Sequence, residues 1–220
     1  MCGHRRHTLR TARLLLYSPE SWLDLAAALA AASDPEAQHW LGWEEERVLG
    51  EQAREALLAL RPGDTDALRS SARIHRLLAH PIEPGPDIVP LIGVRTDDGR
   101  YAGVIEMDPG SGQVTGWLAP HARDQAFAAE LFGAAALLGH AHLGLRTVRA
   151  AYDPRHAETA QALSAARFVP DDSPPHHTLP NGREVDIRWV RHTAPAPTTR
   201  CRGAAPPPAT RTEAAPANEH

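Results

Sequence analysis

Alternating apolar and polar positions mark the middle of this chain as a run of β-strands. Residues 87–95, 101–107 and 113–118 each carry apolar side chains at strand spacing. Turn sequences rich in Asp and Gly separate these segments at 97–99 and 108–112. The pattern predicts a three-stranded antiparallel meander.

Two helix-start signals precede the meander. Ser18 and the Pro19 that follows it predict an N-cap and first turn, and the Ala- and Leu-rich run after them predicts a helix to about residue 32. Residues 33–36 repeat the same signal. The second helix is expected to carry Trp40, and also Trp43, on an apolar face.

Residues 44–79 give a weaker pattern. Apolar positions between 48 and 60 predict a helix that ends at 61–63, and a further helix is expected at 66–78. This region is either a cover over a substrate site or a helical insertion packed on the sheet. We favour the second interpretation, because periodicity reports burial and not function.

The rest of the pattern extends the meander into a mixed α/β (α+β) domain. The additional predicted elements are a first strand at 9–17, a helix at 124–138, a strand at 145–152, a helix at 158–166, a strand that starts at 168–169 and a last strand at 184–190. The predicted domain spans residues 9–192. Residues 1–8 and the Pro-, Ala- and Thr-rich residues 193–220 are expected to be disordered, because they contain too little apolar surface to fold.

Composition narrows the function classes. The net charge is −4, a balance that argues against a nucleic-acid partner. No apolar run is long enough to span a membrane, and no signal-peptide pattern opens the chain. Both cysteines, Cys2 and Cys201, lie in the predicted tails. A cytoplasmic protein with no membrane partner is therefore expected.

Four stretches resemble motifs of the GNAT N-acetyltransferases, in particular the branch that acetylates ribosomal-protein alanine. They are residues 9–16, 101–106, 116–123 and 150–168. Their order and spacing carry the resemblance, which covers about residues 9–191. It implies the GNAT fold, a central, mostly antiparallel and splayed sheet flanked by helices.

The resemblance also implies an acetyl-CoA site where the third meander strand passes into a helix. In this family the loop reads Arg/Gln-x-x-Gly-x-Gly/Ala, and unpaired amides at a helix start suit a pyrophosphate. The residues implied to bind acetyl-CoA are Trp117, Leu118, Arg123, Asp124, Gln125, Ala126, Phe127, Ala128, His156 and Thr159.

Several positions depart from the family pattern. The departures are Asp124 and Ala126 in place of glycines, His156 in place of Asn, Arg167 in place of the Gly before Phe168, and Leu163 where many relatives have Tyr. A methyl group at position 126 hinders the close backbone approach that glycine permits. Asp124 could instead cap the helix. These departures place turnover in question.

Two residues are candidates for the general base that GNAT chemistry requires. Glu106, on the central meander strand, is the first, and its alternative is a solvated surface carboxylate. His121 is the second, because imidazole titrates near neutrality, and its alternative is a loop histidine. A backbone amide near Leu118 is expected to polarise the thioester carbonyl.

Two functions follow from this resemblance. The first is an N-acyltransferase that acts on a primary amine of a small molecule or a protein N-terminus, as a monomer or homodimer. The alternative is a catalytically inactive GNAT-fold protein that binds a ligand or scaffolds a partner. A metal site is not expected, because the pairs His140/His142 and His176/His177 lack a Cys/His framework.

Overall fold

A computed structural model describes residues 6–43, 45, 48–61, 88–123 and 126–194. The helices within these ranges are α1 (Trp22–Ala32), α2 (Pro35–Leu41), α3 (Glu51–Leu58), α4 (Phe127–Leu137) and α5 (Ala157–Ala165). The strands are β1 (Thr8–Arg10), β2 (Leu14–Tyr17), β3 (Val89–Arg95), β4 (Tyr101–Asp108), β5 (Gln113–Leu118), β6 (Thr147–Tyr152), β7 (Val169–Pro170), β8 (His176–Thr178), β9 (Glu184–Asp186) and β10 (Arg188–Thr193).

Eight strands form one sheet in the order β1-β2-β3-β4-β5-β6-β10-β7. All neighbours are antiparallel except β5 and β6, which run parallel. The predicted meander is confirmed as β3, β4 and β5. Strands β8 and β9 form a separate two-stranded sheet. The mixed α/β class with a mostly antiparallel sheet is also confirmed.

The predicted first strand at 9–17 is wrong, because this segment is a hairpin of β1 and β2. Thr11 N donates to Leu14 O at 2.9 Å and closes the turn. The turn is held from α4, where Glu130 accepts hydrogen bonds from the Thr11 hydroxyl, from Arg13 N at 3.0 Å and from Arg13 Nε at 2.6 Å. Because these contacts span more than 100 residues, the local pattern could not show them.

Helix α1 starts three residues later than predicted. Its N-cap is Ser21, which forms a reciprocal capping box with Asp24. Ser18 instead accepts a hydrogen bond from His7 N at 2.9 Å through its hydroxyl. The helix ends at Ala32, as predicted.

Helix α2 begins as the sequence predicts. Asp34 is the N-cap and accepts from Glu36 N and Ala37 N, and Pro35 occupies the first turn. Gly42, with φ of 58°, ends the helix in the left-handed conformation that glycine adopts without strain. The predicted helix within 44–61 is α3, and the helix predicted at 66–78 lies outside the described residues.

The predicted strand at 184–190 is divided between two sheets. Strand β9 pairs with β8, and β10 pairs with β6 and β7. Ile187, between them, donates its N–H to Pro175 O at 2.7 Å and is buried. The pattern of residues 184–190 alone does not reveal this change of partner.

Helices cover both faces of the large sheet. On one face, α4 and α5 pack over apolar residues that include Leu91, Ile105 and Met107. On the other face, α1 and α3 pack over Val104 and Trp117, among others. In the described part of the chain, no helix is long and apolar enough to cross a membrane.

The ordered elements reach the limits of the predicted domain. Strand β1 begins at Thr8 and β10 ends at Thr193, each one residue beyond the predicted boundary. Residues 1–5 and 195–220, which make up most of the two predicted tails, lie outside the described residues.

Candidate functional site

Strands β5 and β6 run parallel but separate after a single pair. Gln113 lies opposite Arg149, and Arg149 N donates to Gly112 O at 2.8 Å. Toward the C-terminal strand ends at Leu118 and Tyr152, no further pair of described residues joins the two strands. A cleft therefore opens between these strand ends.

The backbone of Leu118 faces this cleft. Ala119 N donates to Ala102 O at 2.8 Å, so Ala119 directs its polar groups toward β4. Because successive residues of an extended strand direct these groups to opposite sides, those of Leu118 point away from β4. Arg123 Nη2 donates to Leu118 O at 3.4 Å from that side. The backbone amide of Leu118 therefore points toward the cleft, where it can polarise a carbonyl group.

Helix α4 begins beside the cleft with an N-cap in the left-handed conformation. Ala126 has φ of 57° and ψ of 17° and makes no side-chain cap. The backbone therefore keeps the shape that the glycine of the family loop adopts easily, although alanine disfavours it. The amides of the first turn have no partner within the helix and point outward. Asp124 and Gln125 lie outside the described residues.

The next two predicted site residues differ in their surroundings. The side chain of Phe127 is 3% exposed and packs in the core, with the guanidinium of Arg13 4.4 Å from its ring centre. Only its backbone is therefore oriented for a ligand at the helix start. Ala128 is half-buried on the first turn.

Arg123 is already paired with two carboxylates at the start of α2. Its Nη2 lies 2.6 Å from Asp34 Oδ2, and its Nη1 lies 2.6 Å from Glu36 Oε2. The side chain of Asp34 is 11% exposed and that of Glu36 is 54% exposed. An anionic ligand at Arg123 must therefore compete with Glu36, the more accessible partner.

A cavity of about 550 Å³ lies beside Arg123, with polar walls. Its lining residues come from the starts of α2 and α5 and from the turn after β5, and they are Glu36, Pro120, Arg123, Arg155, His156, Ala157 and Glu158. Arg155 is 76% exposed and binds the buried Asp153 at 2.7 Å. Two guanidinium groups thus line this cavity, and each is already paired with a carboxylate.

His156 and Thr159 meet at the start of α5. His156 Nδ1 lies 2.5 Å from Thr159 Oγ1, and His156 Nε2 lies 3.9 Å from Glu36 Oε1. His156 is the N-cap residue of α5 and lines the cavity that Arg123 lines. The structure therefore places His156 at the cavity, and Thr159 contacts the His156 side chain without lining the cavity itself.

A second, smaller cavity of about 40 Å³ lies on the α1 face of the sheet. It is lined by apolar residues and one carboxylate: Leu25, Ala28, Leu29, Trp43, Pro90, Val104, Glu106 and Trp117. Glu106 lies opposite Pro90 on β3 and opposite Thr115 on β5. The predicted base therefore lines a pocket and does not lie on the solvated surface.

The environment of Glu106 changes its acidity. Burial among apolar side chains raises the pKa of Glu106 above its usual value. Within the described residues, no hydrogen bond or ion pair reaches its carboxylate. A carboxylate with a raised pKa is a stronger base than an exposed carboxylate, so it is suited to accept a proton.

Trp117 lies in the wall of this second cavity and not in the cleft of Leu118. Its Nε1 donates to Ala28 O at 3.3 Å, and its ring is perpendicular to that of Trp43, with centres 6.0 Å apart. Its side chain is thus directed toward α1, on the Glu106 face of the sheet. Only its sequence neighbour Leu118 faces the cleft.

His121 lies apart from both cavities. Its Nε2–H donates to Tyr101 O at 2.7 Å. Burial lowers the pKa of His121, and the charge of Arg100 acts in the same direction. His121 lines neither cavity, so its geometry does not support the role of base that its sequence position suggested.

Several residues of these two cavities were not predicted from the sequence as site residues. Asp34 and Glu36 were recognised only as helix-start residues, and Arg155 only as part of a motif. Trp43 was expected on an apolar helix face. These residues are charged or aromatic and lie near the ends of helices or strands. Such a position in the sequence does not show which distant residue each side chain will contact.

Among known proteins, only solved structures show a similarity to this chain, and the similarity is one of fold. No family model matches the sequence. No curated protein matches it either. A GNAT-family acetyltransferase from Bacillus anthracis superposes with a TM-score of 0.55 at 13% identity, covering 85% of this chain and 98% of that one.

Two further solved structures agree. The ribosomal-protein-S5-alanine acetyltransferase of Vibrio fischeri has a TM-score of 0.56 at 14% identity, covering 85% of this chain and 96% of its own. The spermidine N-acetyltransferase of Vibrio cholerae, solved with CoA and spermine, has a TM-score of 0.55 at 13% identity, covering 83% and 96%. The GNAT fold predicted from the sequence is confirmed.

Proposed function

Because the chain has the fold of the GNAT acetyltransferases, we propose that it is an N-acyltransferase that transfers an acetyl group from acetyl-CoA to a primary amine. The observation that carries this proposal is the cleft between β5 and β6, where the Leu118 amide lies close to the start of α4. An acyl thioester in this cleft has a polarising donor at its carbonyl and helix amides near its phosphates.

The donor site fits the anionic part of acetyl-CoA. The amides of the first turn of α4 take the pyrophosphate, and Arg123 adds charge once Glu36 releases it. Arg155 supplies a second guanidinium across the cavity of about 550 Å³. His156 forms part of the α5 wall of the same cavity, and Thr159 contacts the His156 side chain.

Glu106 serves as the base on the acceptor side. Glu106 pairs with Thr115, and Leu118 lies three residues farther along β5. At a rise of about 3.3 Å per residue, this separation is roughly 10 Å along the strand. A water molecule between the amine and Glu106 therefore relays the proton.

Glu106, the amine and the thioester account for every proton and bond in the transfer. The ammonium of the acceptor gives one proton to Glu106, and the nitrogen lone pair forms a bond to the acyl carbon. The C–S bond breaks, and the thiol leaves with the second proton of the nitrogen. Glu106 then returns its proton to solvent, and the product is an amide.

A second function is favoured by a specific observation. Arg123 is paired with both Asp34 and Glu36, and Ala126 adds a methyl group to the loop that would hold the phosphates. A GNAT-fold protein that binds a ligand or a partner without turnover is consistent with both features.

For the transferase function, the proposed acceptor is a small-molecule amine or a protein N-terminus. The proposed enzyme is a monomer or homodimer in the cytoplasm.

Turnover separates the two functions. Purified protein is incubated with acetyl-CoA and a panel of primary amines, and release of the CoA thiol is followed. We expect Glu106→Gln to lower kcat/KM by about 100-fold or more. The matched control is Glu184→Gln, which changes an exposed carboxylate on β9. Acetyl-CoA binding without thiol release on any amine would establish the second function.

A further inference from the structure

A single π-helical turn, Leu138–His142, follows α4 and precedes β6. Such turns are rare and often occur at functional positions. This π-turn carries two histidines, and each faces a histidine from a distant part of the chain. The ring of His140 faces that of His192 on β10, and the ring of His142 faces that of His7, which precedes β1. Imidazole groups therefore join the π-turn to other segments of the fold.

The pair His140 and His192 has the geometry of a hydrogen bond between two imidazoles. Nε2 of His140 lies 2.9 Å from Nδ1 of His192, and the ring centres are 5.1 Å apart. On its other side, His140 Nδ1 lies 2.7 Å from Leu145 O. A carbonyl oxygen only accepts hydrogen bonds, so His140 Nδ1 carries a hydrogen atom. In the neutral pair, His192 Nδ1 then donates to His140 Nε2.

This hydrogen bond depends on the number of protons that the two rings carry. One added proton leaves the bond intact, because one of the two facing nitrogens still accepts. A second added proton places an N–H group on both facing nitrogens, and two donors do not bond to each other. Two imidazolium ions in contact also repel each other. The doubly protonated pair therefore loses the contact between the π-turn and β10.

The described surroundings of the pair disfavour this second proton. Both rings are half-buried. Burial lowers the pKa of His192, and the charges of His140 and Arg167 act in the same direction. Phe168, which follows α5, packs against His192 with ring centres 5.4 Å apart, and Val148 lies opposite His192 on β6. Among the described residues, no carboxylate forms an ion pair with either ring.

Two further titratable or charged groups lie next to the pair in sequence. Arg191, the neighbour of His192 on β10, binds Asp171 at 3.0 Å. Adjacent strand residues direct their side chains to opposite faces of a sheet, so this ion pair lies on the other face from His192. His142 is exposed, and its Nδ1 lies 3.2 Å from Nδ1 of His7. This second imidazole contact of the π-turn requires a variant of its own in any test.

A metal ion is the other species that two facing imidazoles can bind. Structural metal sites use about four protein ligands. In the part of the chain that the structure describes, no group of three or more His, Cys, Asp or Glu side chains could hold a metal ion. The geometry of the pair therefore favours the proton as its ligand.

We propose that the pair His140 and His192 is a pH-sensitive switch, which holds the π-turn against β10 near neutral pH and releases it when both rings are protonated. Folding lowers the pKa of His192. The stabilisation is therefore fully present above the ordinary pKa of histidine and is lost as pH falls through the lowered one. This inference does not depend on the proposed function.

Hydrogen exchange at two backbone amides measures the release. Leu145 N donates to Gly139 O at 2.8 Å, and Ala194 N donates to Arg146 O at 2.9 Å, so both amides lie beside the switch. The full chain is measured from pH 7.5 to pH 4.5, with rates corrected for the intrinsic pH dependence of exchange. Relative to amides of the β3–β4 ladder, we expect the protection of both to fall by roughly 10-fold for each unit by which folding lowers the pKa.

Variants assign the effect to the pair. His192→Asn keeps a donor in place of Nδ1, and His140→Gln keeps an acceptor in place of Nε2, but neither new side chain titrates. We expect each variant to abolish the fall in protection at low pH. The controls are His142→Gln, which removes the other histidine of the π-turn, and His177→Gln, which changes an exposed histidine on β8. Both controls should retain the fall.

Nitrogen NMR of the wild-type rings tests the same proposal without any substitution. We expect His140 to carry hydrogen on Nδ1 at pH 7.5 and His192 to titrate below the ordinary pKa of histidine. A neutral His140 with its hydrogen on Nε2, or a fall in protection that persists in His192→Asn, would overturn the proposal. A fall that a chelator such as EDTA abolishes would assign the effect to a metal ion and would also overturn it.

Discussion

Arg167 holds a backbone conformation that only glycine adopts without strain. It follows α5 with φ of 65°, and Phe168 N donates to Leu163 O at 3.0 Å while Arg167 N donates to Ser164 O at 2.9 Å. These two bonds form a Schellman motif, in which glycine is the usual residue at this position. The fold is therefore preserved at the cost of local strain.

Replacement of this residue should relieve the strain. We expect Arg167→Gly to raise the free energy of unfolding by about 1 kcal/mol, because the left-handed penalty exceeds the added entropy of the unfolded chain. Arg167→Ala removes the exposed side chain but keeps the strain, and should leave stability nearly unchanged. Urea unfolding measures both. Equal effects of the two substitutions would mean that the side chain, and not φ, matters.

The raised pKa of Glu106 predicts a pH dependence of stability. The unfolded chain loses the Glu106 proton at the ordinary pKa, whereas the folded protein retains it to a higher pH. The stabilisation is therefore fully present below the ordinary pKa and is lost as pH rises through the raised one. We expect Glu106→Gln to remove this decline, measured by urea unfolding over a pH series. A decline that persists unchanged in the variant would assign it to another group.

At the scale of elements, ion pairs between α2 and the turn after β5 occupy Arg123, the residue that we propose binds acetyl-CoA. Glu36 is half-exposed and pairs with Arg123, so its pair contributes little to stability. We expect Glu36→Gln to free the guanidinium and raise the affinity for acetyl-CoA by about 2- to 5-fold. Glu184→Gln, which leaves this link intact, should have no effect. Calorimetry measures both, and an unchanged affinity in Glu36→Gln would show that Arg123 does not contact the ligand.

Elements with local signals were predictable from the sequence. The meander follows from alternation and turn residues, and α2 follows from its Asp34 cap and Pro35. The hairpin at 9–17 and the division of 184–190 were not predictable, because Glu130 and Pro175 impose them from distant parts of the chain.

Residues of the candidate site were likewise predictable only where a local sequence motif marks them. The resemblance predicted roles for Leu118, Arg123 and Glu106, because each lies on a recognisable strand or in the turn that follows one. It could not show that Arg123 is paired with α2 or that Trp117 faces α1, because both contacts depend on packing across the sheet.

For the whole molecule, the two cavities proposed as donor and acceptor sites are lined by different elements. The cavity of about 550 Å³ lies where the starts of α2 and α5 meet the turn after β5, and the cavity of Glu106 lies under α1. The cleft between β5 and β6 lies between them, with the Leu118 amide at its wall. Under the proposed function, an amine at the Glu106 cavity and a thioester from the larger cavity would meet at this cleft.

The central claim is that acetyl-CoA binds at the cleft and at Arg123. Calorimetric titration of acetyl-CoA into the wild type tests it, with Arg123→Ala and the exposed control Arg188→Ala measured alongside. We predict micromolar binding that weakens by roughly 10-fold in Arg123→Ala and is unchanged in Arg188→Ala. Absence of binding at millimolar acetyl-CoA, or equal binding by the two variants, would contradict the account.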